Sequence, residues 1–383
     1  MTEGLFSSTH PLLPPTSEDD RLDRLRLLRS RRVGISTYQR LMAEHGSASE
    51  ALAALPQVAR EAGLSDYQAR SRSFAEAELR DGVRAGAQLV FQGDPDYPAR
   101  LLDIEDSPPF IWMRGNPDLL ECPSIALVGA RNASSLGTRM ARALAKDLAR
   151  RGMVTVSGLA RGIDTVVHHA TLETGTIAVY AGGIDVIYPS ENTSLGQEVA
   201  NKGLVITEMA PGLTPLARHF PARNRLISGL SQAMVVVEAA AKSGSMNAAR
   251  AALDQGREVL AVPGHPFEPR AAGCNMLIRD GAKLVRSAED IIEAMSPIGP
   301  RTASVAQPPP VPQAAAPQPE RRLRDTARLH DEILACLDPA PMPEDRLIRS
   351  LGHPTQIISE QLSDLELEGR IERQSGGVVR RLS

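Results

Sequence analysis

The sequence predicts an α/β protein with a Rossmann-like, doubly wound parallel sheet, preceded by an all-helical domain and followed by a winged-helix-like domain. In the middle of the chain, short apolar runs alternate with helical patterns, as in parallel sheets that helices cover on both faces. The first part shows only helical periodicity, typical of a SAM-like or helix-hairpin-helix-like domain. The last part is predicted to form three helices followed by a hairpin.

Composition divides the 383 residues into five segments. A leader rich in Pro, Ser and Thr over 1–17 is predicted to be disordered, and a stretch rich in Pro, Ala and Gln over 299–322 is predicted to be an extended linker. The ordered segments are a helical domain over 18–87, a Rossmann-like domain over 88–298 and a winged-helix-like domain over 323–383.

Charge and cysteine content restrict the class of protein. The net charge is only −3, so a nucleic-acid site must be a local cluster of basic residues. The three cysteines lie far apart and match no metal-binding spacing, which fits a reducing cytoplasm. No apolar run approaches the roughly 20 residues of a membrane span, and the N-terminus lacks the features of a signal peptide. We therefore expect a cytoplasmic protein without a membrane segment.

The helical segment begins with a strip of arginines. Leucines recur there at helical spacings, and short breaks at glycines separate three or more helices. The strip consists of Arg21, Arg24, Arg26, Arg29, Arg31 and Arg32. It is either a solvated face or an auxiliary path for DNA.

Apolar runs in the middle segment predict the strands of the sheet. They are Ile125–Gly129, Val154–Ser157, Thr176–Ala181, Leu204–Thr207, Ala233–Glu238, Glu258–Val262 and Lys283–Val285. Helical patterns lie between most of them. In an open parallel sheet, ligands bind at the carboxyl ends of the strands, so the turns that follow these runs are the candidate site.

The turns after the first two strands share a pattern of small residues around an arginine. A dinucleotide fingerprint would need a second glycine where Arg131 stands. An arginine there predicts that a guanidinium and helix N–H groups together hold a phosphate. The alternative is a plain glycine turn with a surface arginine. The candidate residues are Gly129, Arg131 and Ser134 in one turn and Ser157, Gly158 and Arg161 in the other.

A third cluster combines cations, an amide and an aromatic ring. It contains Arg218, Phe220, Arg223, Asn224 and Arg225 in a chain that is only 3% aromatic. A base stacked on Phe220, with Arg223 and Arg225 on phosphates, is the pattern of single-strand binding. The alternative is a buried phenylalanine with solvated arginines.

A fourth cluster follows the strand that ends near Glu238. It contains Lys242, Ser243 and Gly244 before a helical pattern, which suits an anion at a helix N-terminus. It is not a Walker A sequence, and the alternative is a simple helix cap. Four turns of this type at one edge of a sheet indicate a nucleic-acid site more strongly than any one of them.

Signatures of catalysis are missing from the sequence. It has no Gly-x-Ser-x-Gly elbow, no His-Glu-x-x-His motif and no context for a cysteine nucleophile. His168 and His169 are adjacent, so they point in different directions on a helix and make no metal pair. We therefore expect no catalytic residues, no metal site and no cofactor.

Taken together, the motifs resemble the DNA-processing protein A family, also called DprA or Smf. The segments that carry this resemblance are Ala126–Arg131, Ser157–Asp164, Gly183–Pro189, Phe220–Leu230, Lys242–Ser245 and Gly273–Ala282. One departure lies at Val33–Ser36, where a helix-hairpin-helix would prefer Gly-Ile-Gly. This departure weakens a direct duplex-binding role for the helical domain.

The resemblance implies a function. Members of the family bind and protect single-stranded DNA, form homodimers through the Rossmann-like domain and load the RecA recombinase during natural transformation. It also implies that the Gly129–Arg131 turn, Arg161, Phe220–Arg225 and Lys242–Gly244 line the DNA pocket. Gly129 and Gly158 would then allow close approach of the backbone to DNA.

The sequence argues against two other functions. A Rossmann-like nucleotide phosphoribohydrolase would carry a Pro-Gly-Gly-x-Gly-Thr-x-x-Glu loop, but Ala181–Asp185 lacks that glutamate. A sequence-specific regulator would use the C-terminal domain. Its candidate recognition helix, Thr355–Glu368, carries four carboxylates and no Lys or Arg, which would repel a phosphate backbone.

Overall fold

The computed structural model describes Pro14, Pro15 and residues 17–295. Toward the C-terminus it describes 329–330, 332–337, 342–351, 358, 362, 365–366, 370–374 and 378–381. The chain forms two compact units, Met1–Gly299 and Pro300–Ser383. The predicted linker over 299–322 and most of the predicted leader lie outside the described residues.

The N-terminal part is helical, as predicted. Serine side chains at Ser17, Ser47 and Ser71 accept hydrogen bonds from backbone N–H groups at the starts of three of its helices. Leu27, Tyr38 and neighbouring apolar residues form a buried core between the helices. The helices are α1 (Glu18–Arg29), α2 (Ile35–His45), α3 (Ala48–Glu61) and α4 (Arg72–Arg84).

Arginines of the basic strip attach this helical domain to the sheet domain. Arg21 pairs with Asp94 at 2.8 Å. Arg29 pairs with the buried Glu78 at 2.9 Å and donates a hydrogen bond to the Glu208 carbonyl oxygen at 3.0 Å. Arg21 and Arg29 therefore belong neither to a solvated face nor to a path for DNA, because their guanidinium groups make contacts within the protein.

Nine strands of the described residues form one sheet in the order β1-β2-β6-β5-β4-β3-β7-β8-β9. Strands β3 to β9 pair in parallel, which confirms the predicted doubly wound sheet. An antiparallel pair, β1 and β2, extends it beyond β6, and neither of these two strands is among the predicted ones. The strands are β1 (Gln88–Phe91), β2 (Phe110–Gly115), β3 (Ser124–Val128), β4 (Val154–Ser157), β5 (Thr176–Val179), β6 (Leu204–Thr207), β7 (Ala233–Val236), β8 (Glu258–Ala261) and β9 (Lys283–Leu284).

Helices cover both faces of the sheet. Side chains alternate along β3, so Ile125 packs in the cluster that contains Leu144 of α5, whereas Ala126 packs in the cluster that contains Leu226 of α8. The helices are α5 (Ser135–Arg150), α6 (Ile163–Thr171), α7 (Thr193–Lys202), α8 (His219–Gly229), α9 (Gly244–Asp254), α10 (Ala272–Arg279) and α11 (Ala288–Met295).

The order of the strands reverses beside β3. The chain moves outward from β3 through β4 and β5 to β6, and then returns to place β7 on the other side of β3. The turns after β3 and β7 therefore leave the sheet at neighbouring points while their helices cover opposite faces. A crevice opens at such a reversal, and this positions the candidate site.

The second unit has its own small core, which includes Ile333, Leu347, Ile358 and Val379. Its elements are β10 (Met342–Pro343), α12 (Glu344–Leu351), β11 (Ile371–Gln374) and β12 (Val378–Arg381). Strand β12 lies between β10 and β11. Much of the predicted acidic helix, Thr355–Glu368, lies outside the described residues. Within the described part of the chain, no helix has the length and apolar character needed to cross a membrane.

Candidate nucleic-acid interface

A pocket of about 490 Å³ lies where the strand order reverses. The turns after β3, β4 and β7 line it together with the first turns of α8. This is the position at which the sequence predicted a ligand site. Its polar lining includes Arg131, Asn132, Arg223, Asn224, Ser243 and Arg270.

Phe220, near the start of α8, lies between two cations and a second aromatic ring. The Arg131 guanidinium carbon lies 5.1 Å from the centre of the Phe220 ring, and that of Arg223 lies 5.8 Å away. The Tyr188 ring, which is half exposed, lies 5.7 Å from the Phe220 ring at an angle of 60°. Attraction between a cation and an aromatic face holds such a group together. Phe220 thus positions two guanidinium groups at the pocket.

The second cation, Arg223, lies buried against the turn after β4. Its side chain is only 6% exposed, and its Nη1 atom lies 3.9 Å from an Asp164 carboxylate oxygen. Burial lowers the pKa of Arg223, but arginine stays protonated in proteins. Burial also raises the pKa of Asp164, which the Arg223 charge and hydrogen bonds from backbone N–H groups oppose. The base of the pocket is therefore formed by a buried pair, the Arg223 guanidinium and the Asp164 carboxyl group.

Gly129 and Gly158 line the two cavities, and both are also needed for packing within the protein. A Cβ atom at Gly158 would stand 1.0 Å from Nη1 of Arg223. A Cβ atom at Gly129 would stand 2.5 Å from the Ile163 side chain. Glycine is needed at both positions because another part of this chain already occupies the space.

Buried polar groups fix the shape of the turn after β4. Asp164 accepts hydrogen bonds from the N–H groups of Gly158 and Ala160, at 3.2 and 3.3 Å. Leu159 has a φ of 56°, and its N–H donates to Nε2 of His168 at 3.3 Å. Burial, the largest cause, lowers the pKa of His168 to about 3, so the ring is neutral. The structure places His168 in the core, as a support for the turn.

Two buried side-chain atoms, in residues that line the pocket, have no hydrogen-bond partner among the described residues. They are Nε of Arg223 and Oγ of Ser243, the residue that precedes α9. The first N–H groups of a helix also have no partner within the helix, and the helix dipole favours an anion there. The N–H groups at the start of α9 therefore suit an anionic ligand.

Hydrogen bonds join the turns around the pocket. Ser245 donates through Oγ to the Gly129 carbonyl oxygen at 2.8 Å, which connects the start of α9 to the turn after β3. Asn224 donates through Nδ2 to the Gly244 carbonyl oxygen at 3.3 Å, which connects α8 to α9. The turns around the pocket are thus held in place by contacts within the protein.

Some of the predicted residues make contacts within the protein instead of lining the pocket, among them Arg225, Ser157 and Ser134. Arg225 is buried in ion pairs with Glu208 and Asp106, because residues two apart on α8 point to opposite sides and Arg223 faces the pocket. The Ser157 hydroxyl donates to the Leu127 carbonyl oxygen at 2.7 Å. Ser134 accepts from the N–H of Gly137 and donates to Glu238, so it caps α5.

Three predicted cations stay exposed near the pocket. Arg161 lines a smaller adjoining cavity of about 50 Å³ with Tyr188, and it forms an ion pair with Glu191. Arg218 and Lys242 are exposed and outside the lining of either cavity. Neither Tyr188 nor Arg270 was among the candidates, although both follow strands of the sheet.

Models of known protein families match all three parts of the chain. Residues 88–296 match the family model of the DNA recombination-mediator protein A. Residues 18–80 match the DprA-like N-terminal HHH domain, and residues 308–377 match the DprA winged helix domain. These matches confirm the fold class predicted for the flanking parts.

Relatives extend over most of the chain. Protein Smf of Escherichia coli is 38% identical over 331 residues, which are 84% of this chain and 86% of the relative. DNA processing protein DprA of Streptococcus pneumoniae is 43% identical over 201 residues, or 52% of this chain and 71% of the relative.

Two solved structures are similar as well. That of the Streptococcus pneumoniae protein has a TM-score of 0.61 at 33% identity and covers 72% of this chain and 98% of its own. The DNA processing protein A of Helicobacter pylori, described for its unique single-stranded DNA binding mode, has a TM-score of 0.51 at 29% identity. It covers 55% of this chain and 95% of its own. The resemblance in the motifs is thus confirmed, and the chain belongs to the DNA recombination-mediator protein A family.

Proposed function

We propose that this protein binds and protects single-stranded DNA in the cytoplasm and loads the RecA recombinase onto it during natural transformation. The DNA-binding part rests on the pocket at the strand reversal, which Arg131, Phe220 and Arg223 line together with the start of α9. A guanidinium group binds phosphate oxygens through charge-assisted hydrogen bonds, and the N–H groups at the start of a helix favour an anion.

The aromatic groups favour a single strand over a duplex. Phe220 and Tyr188 lie beside the cations that would hold a phosphate. Only an unpaired base can leave its neighbours and stack on such a ring. The single-stranded DNA binding described for the Helicobacter pylori relative supports the same ligand for this chain.

The test is a titration of the purified protein with labelled single-stranded and double-stranded oligonucleotides of equal length over a salt series. We expect tighter binding of the single strand, and affinity that falls as salt rises because phosphate contacts release counterions. Equal affinity for the two forms would refute the proposed selectivity.

We infer further that the pocket binds DNA without breaking bonds. A nucleotide hydrolase would need its catalytic loop near Gly182 and Gly183. A Cβ atom at Gly183 would stand 2.5 Å from the Ala210 carbonyl oxygen, so this loop packs against its neighbour. The discriminating assay is incubation with nucleoside monophosphates. Robust turnover, abolished by a substitution within Gly182–Asp185, would favour the hydrolase.

Homodimerisation and RecA loading belong to the same proposal and are supported by family membership. The sheet ends at β9, where Lys283 and Leu284 are exposed, and an open edge strand can pair with a second copy. Sedimentation over a range of concentrations tests for the dimer. Assembly of RecA on single strands already coated with a single-strand-binding protein tests loading, and assembly at the same rate with and without this protein would contradict it.

A further inference from the structure

The loop between β8 and α10 holds an aromatic side chain in solvent. Phe267 is 91% exposed, and its ring lies 5.6 Å from that of His265 at an angle of 38°. A single exposed apolar residue is common on protein surfaces and indicates nothing by itself. The rigidity of this loop and its position beside the pocket distinguish Phe267.

Hydrogen bonds hold the loop in a defined shape. The Asn275 side chain accepts from the Gly264 N–H at 3.2 Å and donates to the Gly264 carbonyl oxygen at 3.0 Å. The Glu268 N–H donates to the His265 carbonyl oxygen at 2.9 Å. The Phe267 ring is therefore carried on a fixed turn, and the loss of freedom on binding is small.

The same loop connects two concave surfaces. Arg270, three residues after Phe267, lines the pocket of about 490 Å³. On its other side the loop lines a groove of about 630 Å³ with the first turns of α5, including Leu136 and Arg139. The loop that carries Phe267 therefore borders both concave surfaces, one with Arg270 in its lining and the other with Arg139.

We propose that His265 and Phe267 form a second stacking platform, on which an unpaired base stacks after the DNA strand leaves the pocket. The inference rests on the proposed function and extends its site by at least one nucleotide. Stacking on a ring accepts any base, because every base has a π-face. Continuity with Arg270 favours the same DNA strand over a protein partner as the occupant.

The experiment compares the full-length protein with Phe267→Ala and Phe267→Trp on oligothymidylates of increasing length, by fluorescence anisotropy. Phe267→Ala should weaken binding of longer strands roughly 5- to 100-fold, as expected for one lost stacking contact. It should leave the shortest strand that binds unaffected. Phe267→Trp should restore binding, and the salt slope should not change because no charge is removed.

The matched control is Val83→Ala, which removes an apolar side chain that is 71% exposed on α4 in the helical domain. Wild-type affinity of Phe267→Ala at every length would overturn the platform and leave the proposed function standing. An equal loss at every length would assign Phe267 to the pocket and would also overturn a second platform. Failure of the wild-type protein to bind any single strand would overturn both proposals.

Discussion

Arg223 lies across Gly158 so closely that a Cβ atom at Gly158 would stand 1.0 Å from its Nη1 atom. The guanidinium reaches the pocket only because the turn after β4 carries no side chain at this point. The position of the Arg223 guanidinium in the pocket therefore depends on Gly158, which has no side chain.

Gly158→Ala should displace the Arg223 guanidinium and lower single-strand affinity about ten-fold, with the salt slope reduced by about one unit. The contact is with the end of a side chain, so the fold should persist. Gly34→Ala is the control, since no atom lies within 4 Å of a Cβ added there. If folded Gly158→Ala keeps the wild-type affinity, Arg223 does not contribute to DNA binding.

Arg131 should act as a phosphate clamp. Arg131→Ala should weaken binding and flatten the logarithmic salt dependence by about one unit, as one phosphate contact is lost. Arg131→Lys should recover only part of the affinity, because lysine lacks the bidentate donors. Arg250→Ala removes an exposed cation of α9 outside the pocket lining, and should change neither quantity. If folded Arg131→Ala keeps wild-type affinity and slope, the pocket lies elsewhere.

Phe220→Ala should weaken binding by roughly 1–3 kcal/mol for one lost stacking contact, while the salt slope stays almost constant. Because the Phe220 ring lies 5.1 Å from the Arg131 guanidinium, the two residues should not act independently. In a double-mutant cycle with Arg131→Ala, we expect a coupling of about 0.5 kcal/mol or more. Strictly additive losses would show that the ring does not position the cation.

His168 should make the protein less stable in acid. Its pKa is lowered to about 3 by burial, so between pH 6 and pH 4 the unfolded chain binds a proton that the folded protein does not. The free energy of unfolding should therefore fall by about 1.4 kcal/mol per pH unit in this range. Asp164, whose pKa is raised by burial, contributes with the opposite sign.

Denaturant titrations of the wild type and His168→Gln at several pH values separate these effects, because Asp164 is present in both proteins. The difference in unfolding free energy between the two should shrink as the pH falls. If this difference in unfolding free energy stays constant with pH, His168 is not the group whose lowered pKa makes the protein less stable in acid.

Removing the second compact unit, by ending the chain at Gly299, should leave single-strand affinity within a few-fold. The pocket lies wholly in the first unit, and the second has its own core. Anisotropy titrations of the shortened and full-length chains make the comparison. A loss of ten-fold or more would show that the winged-helix part contributes to binding.

The pattern of strands and turns was determined by the sequence alone. Apolar runs of strand length alternate with helical patterns, and both are local properties of the chain. Because parallel strands end at one edge of the sheet, the sequence also predicted that Arg131, Phe220, Arg223 and Ser243 would meet, and the structure brings them together. The antiparallel strands at Gln88–Phe91 and Phe110–Gly115 were not among the predicted strands.

Only the tertiary structure decided which way the side chains point. Arg223 and Arg225 stand two positions apart, yet one faces the pocket and the other pairs with Glu208 at the end of β6. Tyr188 and Arg270 reach the site from turns distant in sequence. The direction of a side chain depends on helix phase and on partners brought near by packing, and neither is a local property of the sequence.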